Sequence, residues 1–148
     1  MYEIKLTEYG YHLTFGDTIE VAEMSEWVEK SRLVLNQSAI RFGVFVDMRT
    51  LNPISPEAQE QMEIGQKLYL ESGMERSVVI VSNEALKEQF IRIAWHTGIY
   101  KWERYINSEV TNGWEDIGLD WIENKIDPDP VADPKFIDSL LKDAHSES

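Results

Sequence analysis

The sequence has no cysteine among its 148 residues. That removes a disulfide framework, thiol catalysis and a cysteine-ligated zinc site together. It is also short of cations: Lys and Arg number 14 against 27 Asp and Glu, a formal charge of −13. Phosphate-binding surfaces are built on clustered Lys and Arg, so no nucleic-acid partner is expected. An anionic membrane surface is disfavoured for the same reason. Glycine is sparse, at 8 residues, and no glycine-rich loop follows an apolar run; one such run ends Val81-Ser82-Asn83-Glu84. Backbone N–H groups need glycine to approach phosphates closely, which excludes the dinucleotide and Walker loops. Long apolar stretches are missing too. The longest are Val44–Val46 and Val78–Val81, far below the roughly 20 residues of a membrane helix. Met1 to Glu8 shows no basic region followed by an apolar run, so no signal peptide is expected and a cytoplasmic location is.

What is present is a folding chain of one domain's length. Apolar residues make up 43% and aromatics 11%, too much for a disordered segment. Tyr2, Ile4 and Leu6, then Tyr11, Leu13 and Phe15, alternate with period two around Glu8-Tyr9-Gly10, predicting a hairpin. Asp17 with Glu20 three residues on resembles a capping box and predicts a helix from about Thr18 to Leu35, with Asn36 as its stop. Phe42-Gly43-Val44-Phe45-Val46 and Ser77-Val78-Val79-Ile80-Val81 are apolar at nearly every position, the pattern of strands buried on both faces. Between them Ser55-Pro56-Glu57 predicts a helix start, with Gly73 closing the helix. A third helix follows Asn83, carries Leu86, Phe90, Ile93 and Ala94 inward, and stops at Gly98. Trp102 to Ile106 predicts a last strand near an edge, and Asn112-Gly113 opens a helix with Trp114, Ile117, Trp121 and Ile122.

The order β-β-α-β-α-β-α-β-α predicts an α/β fold. A single mixed sheet would carry an antiparallel N-terminal hairpin strand, its parallel strands joined by right-handed helical crossovers. This domain spans residues 1–126. Residues 127–148 form an acidic, Pro-containing extension that opens Asp127-Pro128-Asp129-Pro130. Asp133-Pro134 within it predicts a short amphipathic helix with Phe136, Ile137, Leu140 and Leu141 on one face. So apolar a face is expected to dock, on its own domain or on a neighbour's.

Several residues are candidates for chemistry. Asp47 closes a central strand and Arg49 lies two residues on; ligands of open α/β sheets bind beyond the carboxyl ends of strands. The pair is either a polar anchor for a ligand or partner, or a local turn contact. Ser55 is a possible phosphorylation site, favoured by a helix dipole, or an ordinary N-cap. His12 alternates with its strand's apolar face and should point outward on an edge. His96 sits beside Trp95, and His145 lies near the end. None has metal spacing, so neither a metal nor a cofactor is expected. A hydrolase or transferase would need Asp47, Arg49 and His96 to converge. Ile91 and Trp95, four apart, make a second apolar ridge on the third helix, and Tyr100, Trp102 and Tyr105 crowd the connection that follows. That cluster is either a partner or homodimer patch or a wide core stripe.

Three stretches carry a family resemblance: Gly43 to Leu51, an apolar strand ending Asp47-Met48-Arg49; Arg76 to Val81, feeding a helix at Asn83-Glu84; and Tyr105-Ile106-Asn107 with Trp114 to Ile122. Over about Tyr2 to Asn124 the chain resembles the STAS-like family, specifically its SpoIIAA-like group, which shades into Sec14-like folds. The resemblance implies strands and helices alternating on one mixed sheet, and binding of partners or apolar ligands rather than catalysis. Anti-sigma-factor antagonists of the wider family carry a phosphorylatable serine in an Asp-Ser-Ser-Gly-like turn. Here the turn reads Asn52-Pro53-Ile54-Ser55-Pro56, and Ser55 alone takes a comparable place. The function expected is a non-enzymatic regulatory or protein-interaction module, acting on a protein partner or as a homodimer. The alternative is a carrier or sensor of a small apolar ligand.

Overall fold

Residues apolar at every position leave no side for solvent, and the strands they form lie in the middle of the sheet. The computed structural model describes residues 1–35 and 41–129. In it β3 (Phe42–Asp47) and β4 (Met74–Val81) pair in parallel, Val44 opposite Ser77 and Val46 opposite Val79. The hairpin forms as expected: β1 (Tyr2–Leu6) runs antiparallel to β2 (Gly10–Phe15), which pairs in parallel with β3. Strand β5 (Glu103–Asn107) lies parallel to β4, and the sheet order is β1-β2-β3-β4-β5. Three helices make the crossovers: α1 (Val21–Leu35), α2 (Pro56–Glu71) and α3 (Glu84–Thr97). A fourth, α4 (Trp114–Asn124), follows β5.

Sequential right-handed crossovers put their helices on one face. There Tyr11, Leu13, Phe15, Val44, Val46, Val79 and Val81 pack against Met24, Trp27, Val28, Met62 and Tyr69, with Leu86 and Phe90 of α3 half-buried on the same core. The alternate residues of the strands face α4, where Phe45, Val78, Ile80 and Ile106 pack against Trp121 and Ile122. Gly43 makes that second layer thin. A Cβ at its position would stand 2.2 Å from Ile122 Cγ2.

Four expectations need correction. Asp17 does not cap α1. Its φ is +57°, its N–H donates to Thr50 O at 3.0 Å and its carbonyl accepts from Asn52 N–H at 2.9 Å. Residues 17–20 are therefore a non-helical link, pinned to the loop after β3 by contacts more than thirty residues away in sequence, and the helix begins only at Val21. His12 is not on an edge, because β2 sits between β1 and β3. Its ring stacks on Phe45 at 5.1 Å, 10° from parallel. Ile93 is not part of α3's inward stripe and is 46% exposed, while Ala94 is buried. The last strand begins at Glu103, since a 3-10 turn (Ile99–Lys101) precedes it. Asn36 and the helix expected after Asp133 lie outside the described residues.

Candidate functional site

The carboxyl end of β3 holds Asp47 as expected, and the side chain is consumed locally. Arg49 Nε donates to Asp47 Oδ1 at 3.0 Å and Nη2 to Oδ2 at 2.9 Å, while the Arg49 N–H also donates to Oδ1 at 3.0 Å. Burial pushes the Asp47 carboxyl up, but the Arg49 hydrogen bonds and charge outweigh it and hold it below the ordinary aspartate range. The Arg49 guanidinium lies 4.4 Å from the Trp114 ring, and the Arg49 carbonyl accepts from Ser82 Oγ at 2.9 Å. Asp47, Arg49, Ser82 and Trp114 thus tie the loop after β3 to β4 and to the start of α4. His96 does not join them. Asp47 alternates with Phe45 onto the α4 face, whereas α3, which carries exposed His96, packs on the opposite face. Ser55 caps α2, its Oγ accepting from Ala58 N–H at 3.1 Å.

The aromatic residues at the other candidate position belong to a larger cluster. Gly98, in the left-handed conformation at φ +85°, ends α3 as expected and turns the chain into the 3-10 segment. This brings Tyr100 under Trp95, with ring centroids 4.7 Å apart and planes at 24°. Below Tyr100 lies the Arg104 guanidinium, 3.9 Å from the Tyr100 ring and 4.3 Å from the Trp121 ring. Arg76 covers Trp121 again, at 5.0 Å. The stack reads Trp95, Tyr100, Arg104, Trp121, Arg76: a pair of rings, then a cation, a ring and a second cation, each cation over a ring face that attracts it.

The charge inside this stack is answered from beyond α4. Arg104 Nε and Nη2 donate to Asp127 Oδ1 and Oδ2 at 2.8 and 3.0 Å. Arg104 Nη1 donates to the Glu103 carbonyl at 3.0 Å and to that of Tyr100, and the Tyr100 hydroxyl donates to Asp129. Burial raises the Asp127 carboxyl, and the Arg104 hydrogen bonds more than reverse this, leaving it below the ordinary range. Tyr100 is pushed the other way, by burial first and then by the Asp129 carboxylate it faces. Trp102 stands half-buried beside the cluster, its carbonyl accepting from Ser77 N–H at 3.0 Å. Sequence reasoning named Trp95, Tyr100 and Trp102 but missed Arg104, Trp121, Asp127 and Asp129. One signal was available: an arginine in the middle of a short predicted strand, between Glu103 and the aromatic Tyr105.

On the opposite face of β5, Glu103 is buried among neutral partners. Its two carboxylate oxygens accept from Ser77 Oγ at 2.7 Å and from the Tyr105 hydroxyl at 2.5 Å. Burial raises its pKa, and the two hydrogen bonds only soften that rise. A raised folded-state value means the contribution to stability is fully present below the unfolded glutamate range. It is lost as pH climbs through the folded value. Glu103→Gln should therefore unfold at a higher temperature than the parent at pH 8, with the gap shrinking toward zero as pH falls to about 4.5. Thermal melts across that range check this. A gap that widens in acid contradicts it.

A shallow cavity of about 280 Å³ opens at the amino ends of β3 and β4, beside α4. Its lining is mostly charged: Glu8, Arg41, Glu75, Arg76 and Glu123, with Tyr9 and Ile122. No cluster of three or more His, Asp or Glu able to hold a metal occurs among the described residues. Nor is any helix among them long and apolar enough to cross a membrane.

Searches for similar proteins match no family model and no curated protein. Among solved structures, an uncharacterised protein of the DUF3478 family from Shewanella loihica, described as having a SpoIIAA-like fold, superposes with a TM-score of 0.56. The match covers 82% of this chain and 92% of that one at 16% identity. The fold is SpoIIAA-like. At that identity the likeness to the Shewanella protein concerns architecture alone: the mixed five-stranded sheet and its helices.

Proposed function

We propose that this SpoIIAA-like chain is a regulatory or protein-interaction module of the cytoplasm, and that it meets its partner through the aromatic end of α3 and the edge of β5. The observation that carries this reading is a set of partly exposed aromatics, Trp102 and the Trp95 that ends the ring–guanidinium stack, at the close of α3 and the start of β5. Aromatic anchors on a rigid scaffold are what protein interfaces use, because they bring much contact area and lose little side-chain freedom. The polar candidates do not compete for the role. Both Asp47 oxygens are engaged by Arg49, and Ser55 Oγ accepts the cap bond from Ala58. The cavity does not favour an apolar ligand, since its lining is charged. The partner is a second protein or a second copy of this chain.

Two measurements test the reading. Light scattering over a wide concentration range reports whether copies associate. Quantitative mass spectrometry of proteins captured from the source cell by the immobilised chain, beside a folded Trp102→Ala variant, reports a different partner. The reading requires either association or a captured protein that the variant loses at least tenfold. A monomer at every concentration whose captured proteins are identical for the two chains refutes it.

A further inference from the structure

The chain has six asparagines, and five lie among the described residues. The fold holds four of them. Asn52 Nδ2 donates to Thr18 Oγ1 at 3.1 Å, and proline follows it. Asn83 Oδ1 accepts the cap bond from Leu86 N–H at 2.9 Å. Asn107 is buried, donates to Glu84 at 2.8 Å and accepts from Glu109 N–H at 3.0 Å. Asn124 Nδ2 donates to Asp120 at 3.0 Å. Asn112, in the loop between β5 and α4, differs on every count. It is exposed, its carboxamide has no hydrogen-bond partner among the described residues, and glycine follows it. Gly113 caps α4 at φ +70°, with no side-chain hydrogen bond to the helix. Its N–H has no acceptor among the described residues. A Cβ built on it would meet no atom within 4 Å, so nothing stands over its nitrogen.

We propose that Asn112 is a modification site, where the Gly113 backbone nitrogen converts the side chain to aspartate and isoaspartate without an enzyme. Hydroxide takes the Gly113 amide proton, and the nitrogen attacks Asn112 Cγ. A C–N bond forms, the Cγ–Nδ2 bond breaks, and the leaving nitrogen takes a proton from water and departs as ammonia, which regenerates the hydroxide. Water then opens the five-membered imide. Opening at Cγ leaves an ordinary peptide bond and an aspartate. Opening at the main-chain carbonyl sends the backbone through Cγ and leaves an isoaspartate. Either product adds one negative charge at the start of α4. The positive end of the helix favours a carboxylate there, while Glu115 and Asp116 already occupy the first turn and oppose it. Isoaspartate also lengthens the main chain by one atom, two residues before Trp114. That ring carries the Arg49 guanidinium at 4.4 Å, so isoaspartate loosens the tie between α4 and the loop after β3. The proposal is independent of the partner surface, which lies at the other end of β5.

The test incubates the folded full chain at pH 8 and at pH 6, then digests it with trypsin. Cleavage after Arg104 and Lys125 yields one peptide holding Asn107, Asn112 and Asn124, so three asparagines are compared within one molecule. Mass spectrometry should find Asn112 converting at least tenfold faster than either neighbour, and faster at pH 8 than at pH 6. An isoaspartate-specific carboxyl methyltransferase should then place labelled methyl on residue 112. Gly113→Ala, whose methyl finds open space, should slow the conversion at least fivefold. Asn112→Gln, which leaves Gly113 in place, should stop the labelling if the alanine variant fails to fold. The same peptide, cut out before incubation, sets the rate without a fold. Asn112 persisting in the folded chain while the free peptide converts would show that the loop protects it, and the proposal fails. It fails equally if Asn107 or Asn124 converts as fast, or if labelling survives Asn112→Gln.

Discussion

Asp127→Ala should lower the free energy of unfolding by about 2–3 kcal/mol. Breaking a buried ion pair from one side leaves the other charge uncompensated, which costs about 3–5 kcal/mol when both partners are fully buried. Arg104 keeps only 10% side-chain exposure, but Asp127 keeps 30%, so water can answer part of the exposed charge. The arginine cannot simply swing out. Its guanidinium is held between the Tyr100 and Trp121 rings, and Nη1 already donates to two backbone carbonyls. Chain ending at Ile126 should lose at least as much, because it removes Asp127 and also the Asp129 that accepts from Tyr100. Arg104→Met with Asp127→Asn should cost less than Asp127→Ala alone, since an apolar stem between two rings needs no counter-ion. Urea unfolding of the three variants checks the order. Equal losses for the single and double changes would mean that the pair contributes only packing.

The pair also fixes how the protein meets acid. Because Asp127 titrates below the ordinary aspartate range, its contribution is present above the unfolded value near 3.9 and disappears as pH falls through the lower folded value. Glu103 acts with opposite sign and at higher pH. Stability should therefore fall at both ends, through one carboxylate that needs its charge and another that is better without it.

How far this was legible in the sequence follows from where each signal resides. Residues 42–46 and 78–81 announce themselves because burial on both faces demands apolar side chains at consecutive positions. Adjacent parallel strands with helical crossovers then follow from connection length and handedness alone. The first residues of β4, Met74-Glu75-Arg76, carry no such signature, since they run past the edge of the core where Glu75 meets exposed Arg41 at 2.8 Å. The link at Asp17 was misread because its partners, Thr50 and Asn52, belong to another loop, and a local pattern contains nothing of them. The Asp47–Arg49 contact was legible as one of two readings because both residues sit in one turn. The Arg104 stack was not. Its members come from β4, α3, the 3-10 turn, β5, α4 and the segment after α4, and only the finished sheet places them in one column.

Gly65→Ala should destabilise the protein by about 1–2 kcal/mol, against what helix propensity dictates. In an exposed helix the change gains about 1 kcal/mol, because alanine restricts the unfolded chain and adds no strain. In α2 the added methyl would stand 2.1 Å from Trp27 Cζ3 and 2.4 Å from Cη2. Trp27 has no room to yield. It is 2% exposed, stacks on Tyr69 at 5.7 Å and meets the Phe15 ring edge-on at 5.0 Å, while the Tyr69 hydroxyl bonds Ser31 Oγ at 2.8 Å. Overpacking a core of this kind costs typically about 1–3 kcal/mol, so the clash outweighs the propensity gain. Trp27→Leu removes the obstructing ring and should itself cost about 3 kcal/mol. In that background the sign of Gly65→Ala should reverse to a gain approaching 1 kcal/mol, a coupling that a cycle of four unfolding curves measures directly. The same loss for Gly65→Ala with tryptophan and with leucine at position 27 would show that the glycine serves the backbone of α2 rather than the close approach of α1 to α2.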